Sequence, residues 1–272
     1  MASITGDFVA KLAAVWHRFT VSEEDRETLA DMLLPMDEAG VANRALQLPA
    51  DSIKDGISVD FVAVPWGAAL GDSYYDTMLM DMSVFEAGIK AEEEGYDAVC
   101  IDTVSDSGMY ALRSRLNIPV LGPGQAAFHV ACMLGHKFSV ITMWDEWFHL
   151  YRKVLTEYKL ESRCASLRSI NTRPDLEELL AGKEEVIFEK LEKESLRAIQ
   201  EDGADVIVLG STTMHQSHGF LQQALPVPVI NPGLMSYKLC EIFLETGLTH
   251  SKTAFPAPQQ PNDQFILSRV PD

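Results

Sequence analysis

The sequence contains one pattern twice. The first copy, GYDAVCIDTVSDSGMYALRSRLNIPVLGPG, begins at Gly95, and the second, GADVIVLGSTTMHQSHGFLQQALPVPVINPG, begins at Gly203. Each copy runs from a glycine through an apolar strand, a break rich in hydroxyl side chains and a helix to a proline-led strand that ends in Pro-Gly. Aligning the two glycines places Thr103 on Ser211. A fold built as two related halves is expected to hold its site between them, which makes these two residues the first candidates.

The strands of the repeat predict the class of fold. AVCI at 98–101 and VIVLG at 206–210 are continuous apolar runs, and strands alternate with helices along the chain. Continuous apolar strands are typical of parallel sheets that helices cover on both faces. We therefore predict an α/β fold with two pseudo-symmetric, doubly wound parallel-sheet lobes and the site in the cleft between them. Residues 1–125 and about 235–272 should form the first lobe with its C-terminal tail, and residues 126–234 the second.

Hydrophobic spacing predicts the remaining elements. Strands are expected at 11–16, 59–65 and 137–143, and helices at 23–34, about 75–94, 125–134, 174–201 and about 235–245. The acidic stretch at 174–201 carries many Glu and Lys pairs at helical spacing and should form one long helix that covers a sheet. From Gly247 onward the tail has too many prolines for an element, and it should wrap a surface of its own chain or of a neighbouring subunit.

Charge and composition exclude several classes of function. The chain has 22 Lys and Arg against 40 Asp and Glu, and its net charge of -18 repels nucleic acid and anionic membrane surfaces. No apolar run approaches the length of about 18 residues that a membrane-spanning helix needs. The first 20 residues lack the uninterrupted apolar stretch of a secretory signal, and the four cysteines include no C-x-x-C pair. We predict a cytoplasmic protein with buried free thiols.

The loops after the two repeated strands carry the candidate binding groups. These groups are Thr103, Val104, Ser105 and Asp106 in the first copy and Ser211, Thr212 and Thr213 in the second. In parallel sheets, ligands bind beyond the carboxyl ends of the strands, where hydroxyls and free amides can hold a carboxylate or an enolate-like anion. The alternative is that these side chains only cap the helices that follow. For Asp106 the two interpretations are orientation of a base and capping of its own helix.

Other side chains could supply a base or line the pocket. His17 and Arg18 follow the first strand, and they could act as a general base and a carboxylate clamp or lie on the surface. His215 comes four residues after Ser211 and could activate it as a nucleophile. It also lies three residues from His218, but no third ligand has suitable spacing, so we predict no metal. The candidates for pocket walls, or alternatively for aromatic core packing, are Trp66, Tyr75 and Trp144.

Several segments together resemble one enzyme family. They are AVPWGAALGDSYYD at 63–76, DAVCIDTVSDSGM at 97–109, IPVLGPGQAA at 118–127, FSVIT at 138–142 and ADVIVLGSTTM at 204–214. The chain resembles the aspartate/glutamate/hydantoin racemase superfamily, which includes maleate isomerases and arylmalonate decarboxylases, and most of all the hydantoin racemase branch. The resemblance implies an enzyme that needs no cofactor, association into a homo-oligomer, and a small carboxylate or cyclic ureide as substrate.

Two positions differ from the pattern of that family. The resemblance implies a catalytic cysteine at the end of each repeated strand, where this chain has Thr103 and Ser211. An aliphatic hydroxyl needs a neighbouring base before it can exchange protons usefully. Three functions stay open on the sequence. They are a racemase or isomerase that stabilises an enolate-like anion, a hydrolase or lyase that uses these hydroxyls with a histidine, and a non-catalytic sensor of small molecules.

Overall fold

The computed structural model describes residues 10–16, 44–64, 68, 70–173 and 184–267. The strands in these ranges are β1 (Ala10–Trp16), β2 (Ile57–Ala63), β3 (Ala98–Ile101), β4 (Val120–Leu121), β5 (Phe138–Thr142), β6 (Cys164–Ser169), β7 (Val206–Leu209) and β8 (Val229–Ile230). The helices are α1 (Tyr74–Gly88), α2 (Met109–Arg115), α3 (Pro123–Leu134), α4 (Phe148–Tyr158), α5 (Glu184–Asp202), α6 (His218–Ala224), α7 (Pro232–Thr246) and α8 (Asp263–Leu267). Among these described helices, none has the length and apolar character that crossing a bilayer requires.

The strands form two sheets with the same topology. The first lobe contains the sheet β2-β1-β3-β4, and the second lobe contains the sheet β6-β5-β7-β8. Every pairing between neighbouring strands is parallel, from Val15 opposite Ile101 in the first sheet to Ile141 opposite Leu209 in the second. Each strand of the second sheet therefore repeats the place of the strand four earlier. The predicted α/β fold with two pseudo-symmetric lobes is confirmed.

Two helices fill the space beside the central strands. All four residues of β3 and all four of β7 are buried, as their continuous apolar sequences predict. The helix α7 packs against β3 and β4 of the first sheet, whereas α3 packs against β5 and β7 of the second. The same two helices also pack against each other, so they connect the lobes. The lobe boundaries at 125/126 and about 234/235 stay a prediction.

The strands predicted at 11–16, 59–65 and 137–143 lie within two residues of β1, β2 and β5, whereas the sequence predicts neither β6 nor α4. Three of the predicted helices differ in their ends. The helices α3 and α7 begin at Pro123 and Pro232, because proline fits the first helical position and needs no amide partner there. Asn231 caps α7, since its side-chain oxygen accepts from the amides two and three residues later at 3.2 and 3.5 Å. The helix α1 ends at Gly88, before three consecutive glutamates that a helix C-terminus disfavours. The predicted helix at 23–34 and the start of the one at 174–201 lie outside the described residues.

The C-terminal tail packs on the first lobe of its own chain. The Nε2 atom of His250 accepts a hydrogen bond from the backbone N–H of Val120, in the edge strand β4, at 2.8 Å. The Nζ atom of Lys252 donates to the carbonyl oxygen of Arg113, in the last turn of α2, at 2.8 Å. The expectation of a tail without elements is wrong in one place, because five of its residues form α8. The tail thus covers an exposed sheet edge and the end of a helix.

Removal of the lysine that caps α2 should weaken this packing. Lys252→Ala deletes a cation from a helix C-terminus, where the carbonyl groups favour it. We expect the free energy of unfolding to fall by about 1 kcal/mol. Lys193→Ala, at an exposed position of α5, is the control and should leave stability unchanged. Urea denaturation measures both variants, and equal stability of the two would contradict the contribution assigned to the tail.

Candidate active site

The two repeated strands end in loops with equivalent side chains. Thr103 lies two residues beyond β3, and Ser211 lies two residues beyond β7. Both side chains are partly exposed. Each oxygen bonds to the hydroxyl two residues later, with 3.1 Å from Ser105 Oγ to Thr103 Oγ1 and 2.8 Å between Ser211 Oγ and Thr213 Oγ1. The structure therefore places the two candidate residues at corresponding carboxyl ends of the two sheets.

A chain of hydroxyls supports Thr103. Ser105 Oγ donates to Thr103 Oγ1 and lies 2.8 Å from Ser107 Oγ. Ser105 and Ser107 are buried, so Thr103 forms the open end of the chain. Because Thr103 accepts from Ser105, its own proton is available to a ligand or to solvent. Within the described ranges nothing accepts a hydrogen bond from the backbone amides of Val104 and Ser105, so both can serve as donors.

Gly210, the residue before Ser211, is tightly packed. Tyr151 Oη donates to the carbonyl oxygen of Gly210 at 2.7 Å, and it lies 2.7 Å from Thr142 Oγ1. A Cβ atom on Gly210 would stand 2.7 Å from Thr142 Cβ and 2.8 Å from Tyr151 Oη. Only glycine fits at that approach, because neither neighbour is the flexible end of a long side chain. The peptide that leads into Ser211 is therefore fixed in place.

One buried arginine connects the two loops. Arg44 Nη2 lies 2.7 Å from Asp102 Oδ2, and the same nitrogen donates to Thr212 Oγ1 at 2.5 Å. Arg44 Nε also donates to Asp102 Oδ2, at 3.1 Å. We call Arg44, Asp102 and Thr212 the Arg44 bridge. Asp102 stands immediately before Thr103 and Thr212 immediately after Ser211, so the bridge joins the chain neighbours of both candidate residues.

His215 lies beside the Arg44 bridge. Its Nδ1 atom is 3.1 Å from the carbonyl oxygen of Thr212, and a carbonyl only accepts, so Nδ1 carries the proton. The Nε2 atom is buried without a hydrogen-bond partner among the described residues, and it holds the lone pair of the neutral ring. Burial lowers the pKa of His215, with a smaller opposing effect from the Thr212 carbonyl. The imidazole is therefore neutral at pH 7, and it does not hydrogen-bond to Ser211.

Asp106 and Val104 connect the first loop to the second lobe. The carboxylate of Asp106 accepts from the backbone amides of Gly124 and Gln125 at 2.8 and 2.7 Å and from Tyr158 Oη at 2.7 Å. Burial raises the pKa of Asp106 to about 6, against the effect of these hydrogen bonds. Asp106 thus caps α3, not its own helix α2 as the capping interpretation assumed. Val104 is 4% exposed and packs in the apolar core of the second lobe, so only its backbone can face a ligand.

The remaining candidates are placed less closely around the loops. Tyr75 is 71% exposed at the start of α1, so it forms no wall of an enclosed pocket. Trp144 follows β5 and packs partly buried against the core, with its ring centroid 6.4 Å from that of Trp147. Three further candidates lie outside the described residues, and these are His17, Arg18 and Trp66. Within the described part of the chain, no three His, Cys, Asp or Glu side chains converge to hold a metal ion.

All four cysteines lie away from the strand-end loops. Cys100 and Cys240 are buried, and Cys100 Sγ bonds to Ser236 Oγ at 3.1 Å. Cys132 and Cys164 are partly buried, and burial raises the pKa of both thiols, that of Cys164 to about 11. A thiol becomes a useful base only when its pKa falls toward neutrality. Neither partly buried thiol is therefore tuned toward a base.

A scan against models of known families matches residues 41–240 to the family described as Asp/Glu/Hydantoin racemase. The chain belongs to the Asp/Glu/hydantoin racemase family. The hydantoin racemase of Pseudomonas sp. (strain NS671) is 32% identical over 191 residues, which cover 70% of this chain and 76% of that protein. The hydantoin racemase of Paenarthrobacter aurescens is 27% identical over 229 residues, which cover 84% of this chain and 93% of that protein.

A solved structure shows the same relationship. The allantoin racemase from Klebsiella pneumoniae superposes with a TM-score of 0.77 at 25% sequence identity, over 93% of this chain and 95% of that one. The predicted membership of the family, with hydantoin racemases among the similar proteins, is confirmed. The chain is accordingly an enzyme of the racemase and isomerase class. The substitution of the two family cysteines by Thr103 and Ser211 stays a prediction.

Sequence reasoning missed two residues of the site. Asp102 could have been found from the sequence, because it is an acidic residue at a strand end and the repeat aligns it with Gly210, which has no side chain. Arg44 had none, since it is one cation among 22 and lies 58 residues from Asp102 and 168 from Thr212. Only the folded chain brings these groups within hydrogen-bond distance.

Asp106 should make the stability of the fold depend on pH. Its pKa is about 6 in the folded protein against an ordinary value of 3.8, so the folded state binds this proton more tightly. The resulting stabilisation is fully present below about pH 4 and is lost as the pH rises through about 6. Asp106→Asn should remove this dependence, which we expect to be about 1–3 kcal/mol. Urea titrations between about pH 4 and 7 measure it, with Glu189→Gln, at an exposed position of α5, as the control that should keep the wild-type pH dependence. An unchanged pH dependence in Asp106→Asn would contradict the assignment.

Proposed function

We propose that the chain is a cofactor-independent racemase or isomerase that moves a proton at a carbon in a cyclic ureide or beside a carboxylate. The observation that carries this proposal is the placement of Thr103 and Ser211 at equivalent strand ends, joined by the Arg44 bridge. The names of the relatives, hydantoin racemase and allantoin racemase, favour a cyclic ureide. The pairing of Arg44 with Asp102 also favours a cyclic ureide. Asp102 already neutralises the charge of Arg44, and a neutral ring, unlike a carboxylate, needs no free cation to bind it.

Removal of a proton from such a ring leaves an enolate-like anion that needs hydrogen-bond donors. The hydroxyls of Thr103 and Ser211 and the amides of the first loop can donate to the ring oxygens as charge develops. Donors that are held in place before the reaction stabilise such charge with little reorganisation. An aliphatic hydroxyl does not ionise near pH 7, so a separate base must accept the proton.

We assign the base to His215. The proton passes from the substrate carbon to the lone pair on Nε2 of the neutral imidazole. The anion then takes a proton on its opposite face through the hydroxyl of Thr103 or Ser211, which is replenished from solvent. The imidazolium returns its proton to solvent, so atoms and charge balance and the product is the mirror image of the substrate. His17, in a segment outside the described residues, stays the alternative base.

The hydrolase or lyase alternative has less support from the contacts. Ser211 Oγ hydrogen-bonds to Thr213 Oγ1, and His215 Nδ1 donates to the carbonyl oxygen of Thr212, so Ser211 and His215 do not bond to each other. No histidine among the described residues therefore activates Ser211 as a nucleophile. A covalent adduct on Ser211 during turnover would favour the hydrolase or lyase, and tight binding of a ureide without turnover would favour a sensor.

Loss of either hydroxyl should slow the reaction. Thr103→Val and Ser211→Ala each remove one donor with little change of shape, and we expect inversion of a single enantiomer to slow by about 100-fold. The substrates are allantoin and 5-substituted hydantoins in D2O, where NMR follows deuterium uptake and polarimetry follows inversion. The matched control is Ser162→Ala, which should keep the wild-type rate. This exposed serine precedes β6 and therefore lies at the amino ends of the strands, away from Ser211.

Two results would count against these assignments separately. Wild-type rates in both Thr103→Val and Ser211→Ala would reject the two hydroxyls as reacting groups. Neither deuterium uptake nor inversion by the wild-type protein, with carboxylates included as substrates, would reject the proposed function itself.

The base should be visible in the pH dependence of the rate. Because burial lowers the pKa of His215 and only the neutral ring accepts a proton, kcat/KM should rise with pH to a plateau. The midpoint of the rise should lie below about 6.5, the ordinary value for histidine. His215→Asn should remove this limb and slow the reaction by about 100-fold. His218→Asn is the control, since that ring bonds to the carbonyl oxygen of Val229 in β8. If His17→Asn instead removed the rise of kcat/KM with pH, His17 and not His215 would be the base.

A further inference from the structure

We infer that Arg44 is a positioning residue that sets the separation between the hydroxyls of Thr103 and Ser211, an inference that rests on the proposed function. Arg44 acts through the residues adjacent to these two side chains, since Asp102 precedes Thr103 and Thr212 follows Ser211. A single guanidinium contacts both neighbours. The two loops therefore cannot separate or slide without breaking a contact to Arg44.

The contacts of the bridge are short and shielded from water. Arg44, Asp102 and Thr212 are 7%, 5% and 2% exposed. The Thr212 hydroxyl also donates to the carbonyl oxygen of Asp102 at 3.3 Å, so the two loops bond to each other directly. A planar guanidinium presents its donors at fixed angles, so it determines the direction of its partners as well as their distance. Lysine would supply the charge without that geometry.

Further contacts prevent the neighbours from following a displaced arginine. Gln47 Nε2 donates to Asp102 Oδ2 at 3.1 Å, which holds the carboxylate from a second direction. Tyr151 Oη donates to the Gly210 carbonyl at 2.7 Å, on the side of Ser211 opposite Thr212. Ser211 is thus held through both of its chain neighbours. The separation of the two hydroxyls is determined by side chains from distant segments in addition to the two sheets.

Positioning affects inversion more than exchange. Exchange of the substrate proton for deuterium with retained configuration needs a base on one face only. Inversion needs a base on one face and a proton donor on the opposite face, both positioned on the same carbon. A displacement of about 1 Å can cost about 100-fold in rate. If Arg44 sets the separation, loosening the bridge should reduce inversion relative to exchange.

The test measures the ratio of inversion to exchange in variants of the bridge. Arg44→Lys keeps the charge and loses the fork, and Thr212→Val removes one acceptor, so each should lower the ratio about tenfold or more. Thr212→Ser keeps the hydroxyl and should restore it. The matched control is Arg163→Gln, which removes a guanidinium that bonds to three carbonyl groups. Arg163 precedes β6 and so lies at the amino ends of the strands, away from the bridge. This control should leave the ratio unchanged.

A second measurement does not depend on any substrate. Amide hydrogen exchange should accelerate in both loops when Arg44 is replaced by lysine, at the hydrogen-bonded amides of Asp106 in the first and of Gly210 and Met214 in the second. It should accelerate in neither loop in Arg163→Gln. Unchanged protection in Arg44→Lys would overturn the inference. Faster exchange with an unchanged ratio of inversion to exchange would also overturn it, because the bridge would then only stabilise the fold. If the wild-type protein neither exchanges nor inverts any substrate, the proposed function fails, and the protection of the two loops still decides whether Arg44 holds them.

Discussion

The buried pair of Arg44 and Asp102 is the contact on which the arrangement of the two strand-end loops depends. The guanidinium and the carboxylate face each other at 2.7 Å, and both are almost fully withdrawn from water. Removing one partner of such a pair leaves an uncompensated buried charge, which is strongly destabilising. The same guanidinium bonds to Thr212 in the other loop. Docking of the lobes and formation of the site are therefore linked through one side chain.

A second connection runs from the first loop into the opposite lobe. The carboxylate of Asp106 lies at the N-terminus of α3, where free amides and the helix dipole favour an acceptor. Val104 packs among the apolar side chains of the second lobe, and Tyr158 of α4 bonds to Asp106. The loop after β3 thus belongs to the first lobe by its strand and to the second by its packing. Displacement of one lobe would disturb the residues that surround Thr103.

The hydroxyls at the strand ends can fill only one of the two roles of a thiol, which can both accept and donate a proton. A thiol can be tuned to accept and donate protons near neutral pH, whereas the hydroxyls of Thr103 and Ser211 can only donate or relay. The proposed reaction then requires a base of another kind, and His215 has a neutral ring with a buried lone pair beside the Arg44 bridge. Burial is the largest influence on its pKa, and the nearby charges of Arg44 and Asp102 act in opposite directions. The two charges of the bridge thus oppose each other in their effect on the pKa of His215.

The sequence by itself determined the parallel α/β lobes, their internal symmetry, the family, and Thr103 and Ser211 as corresponding positions, because apolar runs and a repeated order of elements are local patterns. Tertiary structure decided the rest. The pairing of Arg44 with Asp102, 58 residues away, and the capping of α3 by Asp106 depend on how two lobes dock. No spacing along the chain encodes such contacts, since they join groups whose separation is fixed only when both sheets are formed.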